Sequence, residues 1–556
     1  MPRYYTPGIY YERVDLGRKG ISAVRMDIPG FVGMAEKGPL DTPVKLDSWG
    51  QYQSVFGGLI PQSYLAYTVR GFFVNRGETC YVVRIADIAK AGKAEATLRD
   101  KNGNPTLKIV ARSEGQWGNQ IRVSLKTAGG GSGEFNLTVS LGDRIREVFK
   151  NLSVNPGHSR YAPSVINEKE RSNLITIEDL NRSSPVPAPP DIATLQKGLH
   201  LSLGADGIQS IEKTDLTGDR GSLKKRGLRC YEDINEVSMI CIPDIMVQPV
   251  KVVPPLIETE PLVKTIDPCL KPEPETTVEP VPPPYRPGVN IESPPQFEIG
   301  DIHFVQHKMV EHCEMMKDRV AILDPPFNAD LKEILEWRKN WDSKFAALYY
   351  PWIRVEDHLR LDNQLTRLVP PSGHAAGIYA RSELERGVHW APANQEVLGA
   401  RDVAVVITQA EQDLLNPEGI NCLRVFPGRG VVVWGARTVS SDASWVYISV
   451  RRLLIMIEKS VAAAMHWSVF EINDYHLRMA IIVSVSSFLE ELWKRGALAG
   501  AVPAEAFVIK CDGENNPQSV VDAGKVITEI GVAPSIPGEF IVFKIGKVED
   551  RMEVME

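Results

Sequence analysis

The most regular hydrophobic pattern lies near the carboxyl end of the chain. Over 450–465, Val450, Leu453, Leu454, Ile457 and Val461 recur at helical spacing as one apolar stripe. Over 474–495 the stripe returns with Leu477, Ile481, Val485, Phe488 and Leu492. Asp474 is placed to cap that second helix, and Lys494, Arg495 and Gly496 to stop it. Further upstream the period changes to two. "QIRVSLK" (120–126) alternates Ile121, Val123 and Leu125 with polar neighbours, and "EFNLTVSL" (134–141) alternates Phe135, Leu137, Val139 and Leu141. The intervening "GGGSG" predicts a hairpin within a mostly β segment. "SYLAYTVRGFFVNRG" (63–77) reads as a helix stopped by Gly77, and "YVVRIAD" (81–87) as a strand. From 196 strands and helices alternate as in a doubly wound α/β sheet: "VSMICIPD" (237–244) is a buried strand, and a helix from 301 leads into "VAILD".

These patterns divide the chain. Residues 1–20 read as an extended arm with four tyrosines around Pro7-Gly8, and 21–95 as a compact α/β segment. Residues 96–195 form a mostly β insert. The α/β segment spans 196–405, a further α+β segment spans 406–538, and 539–556 is a final strand ("EFIVFKIG") with a charged tail. The block 249–295 holds fourteen prolines and many glutamates, so it is expected to be a solvated polyproline-like excursion and not part of a core.

Composition narrows the classes. The 556 residues carry a net charge of −7, which argues against the broad basic field of a nucleic-acid binder. No stretch has the ~18 apolar residues of a membrane span, and no signal-peptide pattern opens the chain, so cytoplasmic synthesis is expected. Seven scattered cysteines without a CxxC pair suit reduced thiols.

Candidate chemistry is sparse. "PPSGHAAGIYAR" (370–381) sets Ser372 and His374 one residue apart in what reads as a turn made by Pro370, Pro371 and Gly373. A catalytic serine wants an elbow such as G-x-S-x-G and an orienting acid; the chain has no such elbow, and no acid is identifiable from sequence. A serine hydrolase is thus the weaker alternative. His303, His307 and Glu311 share a helical face and define a second alternative, a metal-dependent scaffold, but they lack a fourth ligand at recognisable spacing. The "AGK" strings at 91–93 and 523–525 lack the leading glycine of a phosphate loop. No cofactor is expected, and Tyr349, Tyr350 and Trp352 read as packing.

Several strings together resemble one family, the contractile tail sheath proteins of bacteriophages and related injection systems. The strongest are "SKFAALYYPWI" (343–353) and "LVPPSGHAAGIYARSELERGVHWAPAN" (368–394). "YTPGIYYERVD", "SEGQWGNQIRV", "LSLGADG", "NPEGINCLRVFPGRGVVVWGARTVS" and "APSIPGEFIVFKI" follow the family in order from residue 6 to 545; the proline-rich block departs from it. The resemblance implies a non-enzymatic subunit that stacks in hexameric discs around an inner tube and contracts to drive it through an envelope. It implies a subtilisin-like middle domain without hydrolase activity, and an inner domain built from both terminal segments. Its implied partners are other copies of itself, the inner tube, and baseplate and terminal cap proteins, with no nucleic acid and no membrane insertion. The arms are suited to adding strands to a neighbour's sheet, through Ile9, Tyr10, Tyr11 and Val14 at one end and Phe540, Ile541, Val542, Phe543 and Ile545 at the other.

Overall fold

A computed structural model of the chain describes residues 20–128, 134–142, 144–168, 171–180, 190–196, 198–249, 293–359 and 365–540. The chain divides into two compact units. The larger comprises 26–385 and 392–448, and the smaller comprises the described parts of 1–25 and 449–556 together with 386–391.

The larger unit opens with strands β1 (Pro29–Gly33) and β2 (Val44–Leu46), helices α1 (Trp49–Phe56) and α2 (Leu65–Val74), and strand β3 (Cys80–Arg84). A β insert follows as β4 (Glu95–Arg99), β5 (Pro105–Ala111), β6 (Ile121–Thr127), β7 (Phe135–Leu141) and β8 (Arg144–Leu152). It continues through α3 (Ala162–Asn167), β9 (Ile175–Asp179), α4 (Ile192–Leu195) and β10 (Leu199–His200). It forms two antiparallel sheets, β4-β5-β9 and β10-β6-β7-β8. The alternation expected for the hairpin is met: Ile121, Val123, Leu125, Phe135, Leu137 and Val139 point into one core with Leu107, Ile109, Trp117 and Ile175.

After α5 (Lys213–Thr217) come β11 (Met239–Cys241), α6 (Ile299–Met316), β12 (Val320–Leu323), α7 (Leu331–Arg338) and β13 (Ala346–Tyr350). Then follow β14 (Ile353–Glu356), β15 (Thr366–Val369), α8 (Ser372–Arg386), β16 (Gln395–Glu396), β17 (Ala400–Val403), α9 (Gln409–Leu415), β18 (Ile420–Phe426) and β19 (Gly430–Trp434). The nine-stranded sheet has the order β16-β19-β18-β13-β12-β11-β1-β3-β2. Its six central strands, β18 to β3, pair in parallel, with antiparallel strands at both edges. Parallel strands buried on both faces need unbroken apolar runs, and Val320–Leu323 and Ala346–Tyr350 are buried at every position. The sheet draws strands from 21–95, 196–405 and 406–538 alike, because parallel pairing joins segments far apart in the chain.

In the smaller unit, α10 (Ile448–Ala464) and α11 (Tyr475–Lys494) are the two striped helices. Leu477, Ile481, Val485, Phe488 and Leu492 are all buried, and the Asp474 side chain accepts from the Leu477 amide as a cap should. Strands β20 (Phe507–Lys510) and β21 (Glu529–Val532) make a two-stranded antiparallel sheet. Among the described residues neither has a second neighbour.

Candidate functional site

The segment 370–381 is not a turn. Ser372 opens α8, and Gly373 lies within its first turn. The reason is packing. A side-chain carbon at Gly373 would meet Thr68 Cγ2 at 2.2 Å and the Thr68 carbonyl oxygen at 2.3 Å; one at Gly377 would meet Asn75 Cβ at 2.6 Å. The small residues of α8 therefore let it lie directly against α2, in the way that small faces allow backbones to approach. Hydrophobic periodicity does not register such a face, which is why the proline and glycines read as a bend.

An acid does stand beside Ser372. Asp324, just past the carboxyl end of β12, accepts the Ser372 amide on Oδ1 at 2.8 Å and lies 2.7 Å from the hydroxyl through Oδ2. Sequence could not find it because it sits 48 residues away and is aligned only by the parallel sheet. The order of contacts is wrong for a nucleophile, however. In a triad the base lies between serine and acid; here the acid binds serine directly and no hydrogen bond joins Ser372 to His374 among the described residues. The His374 ring instead fills the space above Gly71, where an added carbon would be 2.3 Å from Cε1. Its Nδ1 has no partner, and burial, with repulsion from Arg70, lowers its pKa to about 4, so the ring is neutral. Ser372 is wholly buried. A groove of about 690 Å³ between α7 and α9 is lined by neither Ser372 nor His374. The constellation fastens the amino end of α8 to the end of β12.

A second aspartate repeats the arrangement. Asp244 follows β11, the strand next to β12, and is fully buried. Its Oδ1 accepts the Tyr64 and Leu65 amides at 2.6 and 3.0 Å at the head of α2, and its Oδ2 accepts the Met34 amide at 2.6 Å just past β1. Helix amino ends favour a carboxyl oxygen, yet burial without a cation opposes the charge. Burial raises Asp324 to about 7 and Asp244 to about 6. The two acids thus hold the amino ends of α8 and α2, the same two helices that meet through Gly373.

The other sequence candidates do not converge. The rings of His303 and His307 stack with centroids 6.2 Å apart, and His303 also stacks on Trp341 at 5.0 Å. Glu311 is held by Lys308 at 2.7 Å and Arg220 at 2.9 Å. No group of three metal-ligating side chains occurs among the described residues. Tyr349 and Trp352 are buried, the latter donating to the Pro325 carbonyl at 2.9 Å. Of the strand-exchange candidates, Ile9, Tyr10, Tyr11, Val14, Ile541, Val542, Phe543 and Ile545 lie outside the described residues. Phe540 is described, outside any strand and 76% exposed.

What sequence reasoning missed in the smaller unit is an apolar surface. Val469, Phe470 and Ile472, before α11, are exposed, as are Tyr475, Met479 and Val483 at four-residue spacing along it. Phe470 is fully exposed and adopts φ +69°, a conformation that disfavours a bulky side chain.

Comparison with known proteins agrees with this geometry. Residues 303–439 match the family described as phage tail sheath protein central domain, and 440–546 match the phage tail sheath C-terminal domain. The tail sheath protein of Vibrio phage KVP40 is 30% identical over 183 residues, covering 32% of this chain and 26% of that protein. The tail sheath protein of Salmonella phage ViI is 24% identical over 275 residues, covering 47% of this chain and 42% of that protein. The chain therefore spans less than half the length of either relative. Similar solved structures extend along nearly the whole chain and define the fold. A sheath tail protein from Listeria innocua gives a TM-score of 0.56 at 12% identity, covering 94% of this chain and 96% of that one. The contracted sheath complex of an extracellular contractile injection system gives 0.55 at 18% identity, covering 99% of each.

Proposed function

Because the chain belongs to the phage tail sheath family over residues 303–546, we propose that it is a structural subunit of a contractile sheath. In this reading copies stack as hexameric discs around an inner tube and contract to drive the tube through a target envelope. The middle of the larger unit corresponds to the subtilisin-like domain of the family, kept for its fold and without enzymatic activity. The particle is a phage tail or a tail-like injection device, and its other partners are baseplate and terminal cap proteins. No helix among the described residues is long and apolar enough to cross a membrane.

The observation that carries the reading is the β20–β21 pair. These strands have open edges among the described residues. Val508 on β20 is 64% exposed. Such edges invite strands from other copies. The apolar runs at 9–14 and 540–545 supply them, with Ile9, Tyr10, Tyr11 and Val14 from one neighbour and Phe540, Ile541, Val542, Phe543 and Ile545 from another. A ladder hydrogen bond contributes only about 0.5–1.5 kcal/mol net, but several per subunit accumulate along a filament. A contact that does not close on itself generates a helix of subunits, and contraction is then a rigid-body change between two packings. The energy would be stored at assembly, so no nucleotide is required.

The test is deletion of residues 1–20 from the full chain, followed by negative-stain electron microscopy and sedimentation. The intact chain should form hollow striated cylinders, and the truncated chain a folded monomer. Cylinders from the truncated chain would remove strand exchange; the absence of any cylinder from the intact chain, in the presence of its tube protein, would remove the sheath reading.

A further inference from the structure

The Asp244 site contains one more oxygen–oxygen contact than its visible hydrogens can fill. The Ser63 hydroxyl oxygen lies 2.8 Å from the Met34 carbonyl oxygen and 2.8 Å from Asp244 Oδ2. It also accepts the Leu65 amide at 2.9 Å, which engages one of its two lone pairs. Serine carries a single hydroxyl hydrogen. If that hydrogen goes to Asp244, the serine and Met34 oxygens face each other at 2.8 Å with nothing between them. If it goes to Met34, the same is true of the serine and the carboxyl oxygen. Both are hydrogen-bond distances, and a second hydrogen resolves both. The amides of Met34, Tyr64 and Leu65 cannot supply it, because each already points at a carboxyl oxygen.

We infer that Asp244 binds a proton in the native fold and donates it to Ser63, which passes its own to Met34, so that protonation fastens β1 to the amino end of α2 and alkali loosens it. The proton sits on Oδ2, whose remaining lone pair accepts the Met34 amide; Oδ1 keeps its two amides. Every donor then has an acceptor and every close oxygen pair has a hydrogen.

The surroundings favour the neutral acid. The titratable groups facing Asp244 are the phenols Tyr52 from α1 and Tyr64 at the head of α2, both pushed up by burial and therefore uncharged. Charged groups stand behind them: Glu36 and Arg84 face Tyr52, and Arg367 faces Tyr64. A carboxylate at this position would be a buried charge without a cation in contact, which is the costly case. Burial accordingly raises the Asp244 pKa from 3.8 to about 6, despite the three backbone amides of Met34, Tyr64 and Leu65 that pull the other way. A folded pKa above the unfolded one means that the native state binds the proton more tightly. Its contribution to stability is complete below the unfolded value and is lost as pH rises through the folded value.

The test compares urea unfolding of the full chain with Asp244→Asn and Ser63→Ala variants at intervals from pH 4 to pH 8. Between pH 4 and 6 the wild-type unfolding constant should rise, relative to Asp244→Asn, by less than tenfold per pH unit, or about 30-fold in all. Ser63→Ala retains the acid but removes the acceptor of its proton, so its own rise should be smaller than wild type. A purely structural role predicts a constant ratio at every pH. If Asp244→Asn does not fold, Ser63→Ala decides alone. A pH-independent ratio between wild type and whichever variants fold would overturn the inference.

Discussion

Replacing Gly373 with alanine should destabilise the larger unit, although the same substitution in an exposed helical turn normally helps. The side-chain carbon would land 2.3 Å from the Thr68 carbonyl oxygen and 2.2 Å from Thr68 Cγ2. Carbon contacts are comfortable at about 3.5–4.0 Å, so α8 must withdraw from α2 by roughly 1 Å. The threonine methyl can rotate away, but the carbonyl belongs to the backbone of α2 and cannot. Nor can α8 retreat freely, since Asp324 holds the Ser372 amide and Asp244 holds the head of α2. Overpacking of this sort costs about 1–3 kcal/mol. Alanine's better helix propensity returns about 0.5–1 kcal/mol, leaving a net loss of about 0–2.5 kcal/mol, centred a little above 1. Gly300 in α6 is the internal control: an added carbon there meets nothing within 4 Å, so Gly300→Ala should gain about 0.5–1 kcal/mol. Tryptophan-monitored urea unfolding resolves the two, because about 1 kcal/mol moves the midpoint by several tenths of a molar at an m-value of ~1–3 kcal/mol/M. Equal stability of Gly373→Ala and wild type, or movement of both variants in the same direction, would refute the close approach of α2 and α8.

Asp324→Asn should remove a pH dependence without removing the fastening, since an amide can donate to the Ser372 hydroxyl and still accept its amide. Burial raises Asp324 from 3.8 to about 7, so the wild type should lose stability relative to the variant as pH climbs from 4 to 7, measured as the difference in melting temperature; an unchanged difference would contradict the buried acid. Arg319→Met should cost about 1–3 kcal/mol in the same unfolding assay, because the wholly buried guanidinium donates to the Tyr231 and Ile234 carbonyls, which would each lose a donor. A loss below about 1 kcal/mol would mean that water replaces the guanidinium.

Local order was legible in the sequence where one face of an element is apolar. The α11 stripe and its Asp474 cap appear as the spacing dictated, and so do the β6–β7 hairpin and the helix that became α2. Contacts that the sheet creates were not legible. Asp324 and Ser372 are 48 residues apart, and Asp244 and Tyr64 are 180 apart. Neither distance carries a periodic signal. Gly373 was misleading for a related reason: a helix buried at every position from Ser372 to Ser382, polar and small residues included, has little hydrophobic contrast to detect. The strand order β3-β1-β11-β12 was equally hidden, since parallel neighbours need not be neighbours in the chain.

That strand order accounts for where the two buried acids sit, each just past the end of a parallel strand. Counting in chain order, the parallel strands run to one side of β1 as β3 and to the other as β11, β12, β13 and β18. In open α/β sheets the reversal leaves a crevice at the carboxyl ends of the strands, and ligands bind in it. An anionic ligand there is typically held by the amides at a helix amino end. In this protein the crevice between β1 and β11 is filled from within. Asp244 occupies the position of the anion, the amides of Tyr64 and Leu65 receive it, and Ser63 and Met34 close the remaining space. One strand further along, Asp324 does the same for α8. The features that would bind a substrate in an enzyme of this architecture are thereby converted into internal fastenings. The two helices are thus pinned at their amino ends and joined through Gly373, which ties α2 and α8 to the sheet and to each other.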